Sequence, residues 1–393
     1  MQRAPVFSRE PSQYNVNNDT RGGTLNLEPI PFHDLPKVIL HDHLDGGLRP
    51  ETIIELARSQ HYDLPTDNPD DLAEWFQRGA NRKSLPLYLE GFAHTCALMQ
   101  TRENLIRIAY ETMEDLARDN VVYAEIRFAP VFHIDGGLPL SEVVEAVLDG
   151  LDAGRKKFGV EYGLIICSMR HMTTSLAMAE LAVAYRERGV VGFDLAGEES
   201  GYPPKDHLDA FHFIQRENFN ITIHAGEGFG KESIWQAIQY CGAHRIGHGV
   251  RLVEDMLIKD GKVSDMGTLA QYVLDKRIPM EICLSSNIHT GAISEMAKHP
   301  FPLFHLFGFR TTLNTDNRLM SGTSMTNEFK VAHDYFNLTF DDFEKLTINA
   351  MKSAFIPHKE RLRIIYEVLK PGYSRIRRRW MEARRGFIPH VRT

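Results

Sequence analysis

An α/β chain closed into a (β/α)8 barrel, the TIM-barrel architecture, is what the sequence predicts, and three observations lead there. Short apolar runs alternate with longer segments of helical periodicity, the pattern of βα units on a parallel sheet. Eight such runs occur along the 393 residues. Polar residues able to bind a metal or move a proton follow the same end of most of them, and chemistry in such barrels gathers at the C-terminal ends of the strands.

The eight predicted strands are Val38 to His41, Val121 to Phe128, Tyr162 to Ser168, Val190 to Leu195, Ile221 to His224, Arg245 to His248, Met280 to Leu284 and Thr311 to Asn314. Helical periodicity runs over Leu105 to Leu116, Ser141 to Lys157, Ser175 to Arg188, Leu208 to Glu217, Ser233 to Tyr240 and Met266 to Lys276. Additional C-terminal helices are expected around Asp341 to Ser353 and Lys359 to Leu369. The stretch from Pro50 to Thr101 is too long for one crossover and reads as a helical insertion after strand 1, beside the barrel mouth. No repeat or linker divides the chain, so residues 31–370 are taken as one barrel domain. Residues 1–30, polar and without an apolar core segment, read as a flexible arm rather than a secretory signal. Residues 371–393 are strongly basic, either a solvated helical tail or a contact with an acidic partner or subunit.

Composition narrows the function classes. Hydrophobic residues make up 43% and charged residues 25%, ordinary for a globular protein. The net charge of -7 argues against general nucleic-acid binding, and no run of 18 apolar residues offers a membrane span. The four cysteines, Cys96, Cys167, Cys241 and Cys283, form no CxxC pair, which fits a cytoplasmic protein and offers no thiolate zinc site. Oligomeric state is left open.

Strand one ends in His41-Asp42-His43-Leu44-Asp45-Gly46. Alternate strand residues share a face, so His41 and His43 aim two imidazoles into one space. Read alone, such a pair is more often two polar loop residues than a metal site. His224 ends strand five and Asp316 ends strand eight, and three imidazoles with one carboxylate make a zinc shell that keeps a position for water. Glu227, three residues after His224 in HAGE, could donate a proton to a ring nitrogen if held neutral, or could be a salt-bridged loop carboxylate. His248, flanked by glycines in GHG, leaves room for substrate or water, though a structural histidine would look the same.

The ordered set HDHLDG, DLAGEE, HAGE, GHG, SSN and NTDN, from about His41 to Asn349, resembles the adenosine deaminase family of barrel metalloenzymes, in its bacterial branch. The resemblance implies one zinc per chain on His41, His43, His224 and Asp316. It implies Glu227 as the acid at purine N1, His248 as the group orienting the attacking water, and Asp316 as both ligand and proton acceptor. It places Gly197 at purine N3, Asp45 on the ribose hydroxyls, and His43 on the substrate side as well as on the metal. At the N7 position the family commonly has a second Asp; here Asn317 follows Asp316 and can donate through its amide. The implied reaction is hydrolytic deamination of adenosine, with 2′-deoxyadenosine, in purine salvage. Asp45 would repel a 5′-phosphate and so favours a nucleoside over a nucleotide, with adenine or a modified adenine nucleoside as the alternative. Two other classes fit less well. A two-metal hydrolase on this barrel would need a bridging lysine where strand four ends in DLAGEE, and a pure binding module should have lost a ligand or the acid. The cytidine-deaminase zinc site is absent, since there is no PCxxC.

Overall fold

The computed structural model describes residues 29–259 and 262–386. The predicted strands form, in order, β1 (Lys37–His43), β2 (Val121–Phe128), β3 (Glu161–Met169), β4 (Val190–Ala196), β5 (Thr222–Ala225) and β6 (Arg245–His248). After an antiparallel pair, β7 (Met256–Lys259) and β8 (Lys262–Met266), come β9 (Met280–Ile282) and β10 (Thr311–Leu313). The hydrogen-bonded orders are β1-β2-β3-β4 and β10-β9-β6-β5, all parallel. Two single bridges join these halves into a ring, Phe193 with Ile221 and Asp42 with Asp316. At the second seam His43 N–H donates to the Asp316 carbonyl and Asp316 N–H to the His41 carbonyl, both at 2.9 Å. One of the two seams therefore runs through His41, His43 and Asp316, residues that were expected to hold the metal.

Two local readings differ from expectation. Strand seven stops at Ile282, because Leu284–His289 turns into a short helix that carries Ser286 and Asn287 inward. The segment before Met266 pairs as β7 and β8; with Leu257 and Ile258 exposed, its alternation is too weak to read as a strand.

Ordinary barrels fill their interior with branched apolar side chains. Here a charged layer takes that place. Glu125, Arg127, Asp194, Arg245 and Glu281 are all at most 1% exposed. Arg127 on β2 reaches Glu281 on β9 at 2.8 Å and Asp194 on β4 at 2.9 Å, and Arg245 reaches Glu281 at 2.6 Å and Glu125 at 2.5 Å. Strands β2 and β9 are not neighbours, so these bonds cross the barrel interior. Every member is multiply paired, the condition under which buried charge is tolerated.

The insertion folds as four helices, Pro50–Gln60, Pro69–Ala80, Leu85–Leu89 and Phe92–Leu98. Three start with proline at the first or second helical position, where its missing N–H costs nothing. The expected arm lies outside the described residues as far as residue 28, and the basic tail does so from residue 387. Between them the last described element is a helix, Lys370–Gly386, that buries Tyr373 and Ile376 beside the helix Phe340–Ser353. The Tyr373 hydroxyl donates to the Phe343 carbonyl at 3.2 Å, and Arg377 pairs with Glu344 at 2.6 Å and with Asp341. Among the described residues no helix is long and apolar enough to cross a membrane.

Candidate active site and metal centre

Strand direction brings the candidate residues to one end of the barrel. His41 and His43 close β1, His224 lies in β5, His248 ends β6, and Asp316 follows β10. His248 and Asp316 both adopt left-handed backbone, φ +60° and +61°. Side chains other than glycine rarely do so, and the cost of about 1–3 kcal/mol each is of the kind that gathers at functional sites.

Four acceptor atoms face one another there. His43 Nε2 lies 3.3 Å from His41 Nε2, 3.2 Å from His224 Nε2 and 3.3 Å from Asp316 Oδ1, and His41 Nε2 lies 3.2 Å from that same oxygen. The opposite ring nitrogens of His41 and His224 show which way those two rings hold their protons. His41 Nδ1 meets Glu281 Oε2 at 3.0 Å and His224 Nδ1 meets Asp194 at 3.0–3.1 Å, so each donates its proton away from the cluster. Ser286 Oγ donates to Asp316 Oδ2 at 2.6 Å and leaves Oδ1 turned inward. Lone pairs packed at these distances repel unless a cation lies between them. Tetrahedral donors at about 2.0–2.1 Å from an ion stand about 3.3 Å apart, which is the observed spacing. The residues therefore fit a divalent ion of zinc's size and ligand preference. His41, His224, His248 and Asp316 also offer donors all within 4.8 Å of one another. His43 Nε2, within 3.3 Å of His41, His224 and Asp316, is a further donor beside that set.

The charged layer supports this cluster directly. Glu281 binds both His41 and Arg127, and Asp194 binds both His224 and Arg127. Both carboxyls are held well below the usual range: burial opposes this, and Arg127 with the imidazoles outweighs it. Carboxylates behind metal-bound histidines fix the tautomer and raise ligand basicity. None of Arg127, Glu281, Glu199, Ser286 or Asn287 was singled out in the sequence as a candidate.

Glu227 is 4% exposed and lies 3.4 Å from His248 Nε2. Burial, then the Asp316 and Glu199 carboxylates, push it well above the ordinary carboxyl range. Glu199 fixes the HAGE loop. Its two oxygens accept the backbone N–H groups of Gly226, Glu227, Gly228 and Phe229 at 2.6–3.0 Å.

Behind His248 a hydrogen-bond chain sets its tautomer. Phe301 N–H can only donate, and it meets His299 Nδ1 at 3.1 Å. Burial lowers the His299 pKa to about 3, so the ring is neutral and its proton is on Nε2. That proton goes to Asn287 Oδ1 at 3.2 Å, and the Asn287 amide donates to His248 Nδ1 at 3.0 Å. A neutral His248 must then carry its proton on Nε2, which has no partner and faces Glu227.

These groups open onto a cavity of about 720 Å³. Asp45, Gly197 and Asn317 line it with His43, His224, His248, Glu227 and Asp316. Gly197 has φ +99°, which disfavours any side chain. Gly46 has no room for one, since a Cβ there would come within 2.0 Å of Asn317 Oδ1. Asp45 Oδ1 and Asn317 Oδ1 are buried without partners. The insertion supplies an apolar wall that includes Leu85, Tyr88, Leu89 and Phe92, and among the described residues no lysine or arginine lines the cavity.

Comparison with known proteins agrees with this geometry. The family model described as Adenosine deaminase matches residues 36–371. "Adenosine deaminase 1" of Streptomyces coelicolor is 54% identical over 353 residues, 88% of this chain and 89% of that protein. An N6-mAMP deaminase from Arabidopsis is 27% identical with a TM-score of 0.74, covering 88% of this chain and 99% of the other. An adenine deaminase from Arthrobacter aurescens, 24% identical with a TM-score of 0.77 over 88% of this chain and 99% of the other, shares the fold. On the family match, and on the identity to the Streptomyces protein over most of both chains, this chain belongs to the adenosine deaminase family.

Proposed function

We propose that this chain hydrolyses adenosine, and 2′-deoxyadenosine, to the corresponding inosine and ammonia, with one zinc ion held by His41, His43, His224 and Asp316. The observation that carries the reading is the meeting of those four side chains at 3.2–3.3 Å, with His41 and His224 each directing the Nδ1 proton away from the cluster to Glu281 and Asp194. When bound, zinc supplies acidified water at neutral pH, lowering its pKa from about 15.7 to about 7.

The chain's own residues do the rest. Glu227, neutral because it is buried beside two carboxylates, donates a proton to purine N1 as the ring accepts electron density from attack at C6. His248 presents its Nε2–H to the attacking oxygen and stabilises the charge developing there. Asp316 accepts the proton released by the water and passes it towards the leaving amine. Gly197 receives purine N3, Asn317 donates its amide to N7, and His43 borders the substrate as well as the metal. Asp45, its Oδ1 unpartnered and buried, accepts from the ribose hydroxyls.

Two features of the cavity favour a nucleoside over a nucleotide. Asp45 repels a 5′-phosphate, and among the described residues no lysine or arginine lines the cavity to receive one. Free adenine would leave Asp45 unsatisfied, at a cost of about 1–3 kcal/mol. All four cysteines are free, three of them buried, which suits a reducing cytoplasm. Initial rates on adenosine, 2′-deoxyadenosine, adenine and AMP, with metal analysis of the same sample, test the assignment. The two nucleosides should be turned over at least about tenfold faster per kcat/KM than the others, as one lost hydrogen bond to a charged group predicts. Preference for AMP or adenine would reject it.

A further inference from the structure

A second cavity, of about 570 Å³, lies at the opposite end of the barrel from the metal cluster. Its position follows from its lining. Arg245 opens β6, Arg277 precedes β9, and Arg310 immediately precedes β10. With Lys276, Lys352 and Arg361, these residues put six cationic side chains around one space, and among the described residues no aspartate or glutamate lines it.

Arg245 is committed to Glu125 and Glu281. The other five have no acidic partner among the described residues. Arg361 spends one N–H on the Lys352 carbonyl, at 2.8 Å, and its Nε is buried without a partner. Arg310 is half-buried, its Nε is likewise unpartnered, and the neighbouring Arg277 and Arg361 charges repel it. Residues at this end of a barrel usually serve stability. Gathering like charges without counter-charge does the opposite, and it is the more anomalous in a chain of net charge -7. Forked guanidiniums around a concave space are suited to phosphate oxygens, which accept two parallel N–H bonds from each.

We propose that this cavity is a binding site for an oligophosphate anion, either free or as the phosphate chain of a nucleoside triphosphate. Arg277, Arg310 and Arg361 form its core, and Lys276 and Lys352 stand at its mouth. The half-exposed Tyr272 ring on the lining would add a stacking surface for a base if the anion is a nucleotide. This site is distinct from the nucleoside cavity, which among the described residues no lysine or arginine lines.

The test is calorimetric titration of the metal-loaded full chain with tripolyphosphate at about 0.15 M salt, where diffuse surface attraction is screened beyond about 8 Å. One equivalent should bind. In Arg277→Gln/Arg310→Gln the affinity should fall at least about tenfold, as loss of charge-assisted bonds requires. Neither position touches the metal cluster, so adenosine turnover should be unchanged, and tripolyphosphate should raise the Tm of the unaltered chain but not of the variant. GTP in place of tripolyphosphate separates the sources. Tighter binding that is lost in Tyr272→Ala marks a nucleotide, and equal binding marks the free anion. Absence of saturable binding, or equal affinity in the double variant, would overturn the proposal.

Discussion

Asn287→Asp reverses the polarity of the group behind His248 while keeping its shape. Asn287 is fully buried and bridges His299 Nε2 at 3.2 Å and His248 Nδ1 at 3.0 Å. An ionised carboxylate can only accept, so it draws the His248 proton onto Nδ1 and strips Nε2 of the donor that faces the reacting oxygen. Loss of one such donor costs about 2.7–4 kcal/mol of transition-state stabilisation, or about 10²–10³ in kcat. Steady-state kinetics on adenosine with metal analysis should show kcat down about a hundredfold, KM little altered, and metal content unchanged. Lowering the pH adds a discriminating readout. Once the introduced carboxyl is protonated its hydroxyl can donate to His248 Nδ1 as the amide did, so activity relative to the unaltered chain should rise as pH falls. A kcat within about threefold of the unaltered chain, with metal intact, would refute the tautomer reasoning, since even weak general acid–base roles contribute about 10².

Glu281→Gln should lower thermal stability and metal affinity together. Glu281 accepts from His41, Arg127, Arg245 and Thr222, and a Gln must present an NH2 to one donor pair. Breaking a buried ion pair on one side costs about 3–5 kcal/mol, and losing a partner behind a ligand costs about 10–100-fold in metal affinity. Chemical denaturation and chelator competition measure the two. Glu227→Gln should keep the metal but lose at least about a hundredfold in kcat; near-normal turnover would remove Glu227 from the reaction. Asp45→Ala should raise KM for adenosine about tenfold or more while lowering that for adenine, which no longer leaves a buried carboxylate unsatisfied, and equal effects would show that Asp45 does not meet the ribose. His299, lowered to about 3 in the fold, makes stability pH-dependent. Its contribution is complete above the unfolded value of about 6.5 and is lost as pH falls towards 3, at about 1.36 kcal/mol per unit, so about 2 kcal/mol goes between pH 6.5 and pH 5. Denaturation midpoints of His299→Gln should show a correspondingly flatter slope over that interval.

The parts of the fold readable in the sequence were those with strong local pattern. The barrel strands are largely apolar runs, because a parallel strand covered on both faces must be, and their polar ends sign the catalytic rim. His41, His43, His224 and Asp316 were legible because each stands at the end of such a run. The charged layer was not. Glu125, Arg127 and Glu281 alternate with apolar neighbours, as solvent-facing residues on an exposed strand would, and only closure of the barrel turns them inward. His299 looked like any loop histidine, since its meaning depends on a backbone N–H two residues on and an amide twelve residues back. Glu199 was in view as part of DLAGEE, but its grip on four amides of the HAGE loop is a tertiary fact.

The most direct test of the account is a zinc-edge anomalous difference map from crystals of the protein purified without added chelator. One peak per chain should appear within about 2.0–2.2 Å of His41 Nε2, His43 Nε2, His224 Nε2 and Asp316 Oδ1. A peak elsewhere with those atoms vacant, or no peak in crystals of protein that still deaminates adenosine at full rate, would contradict it.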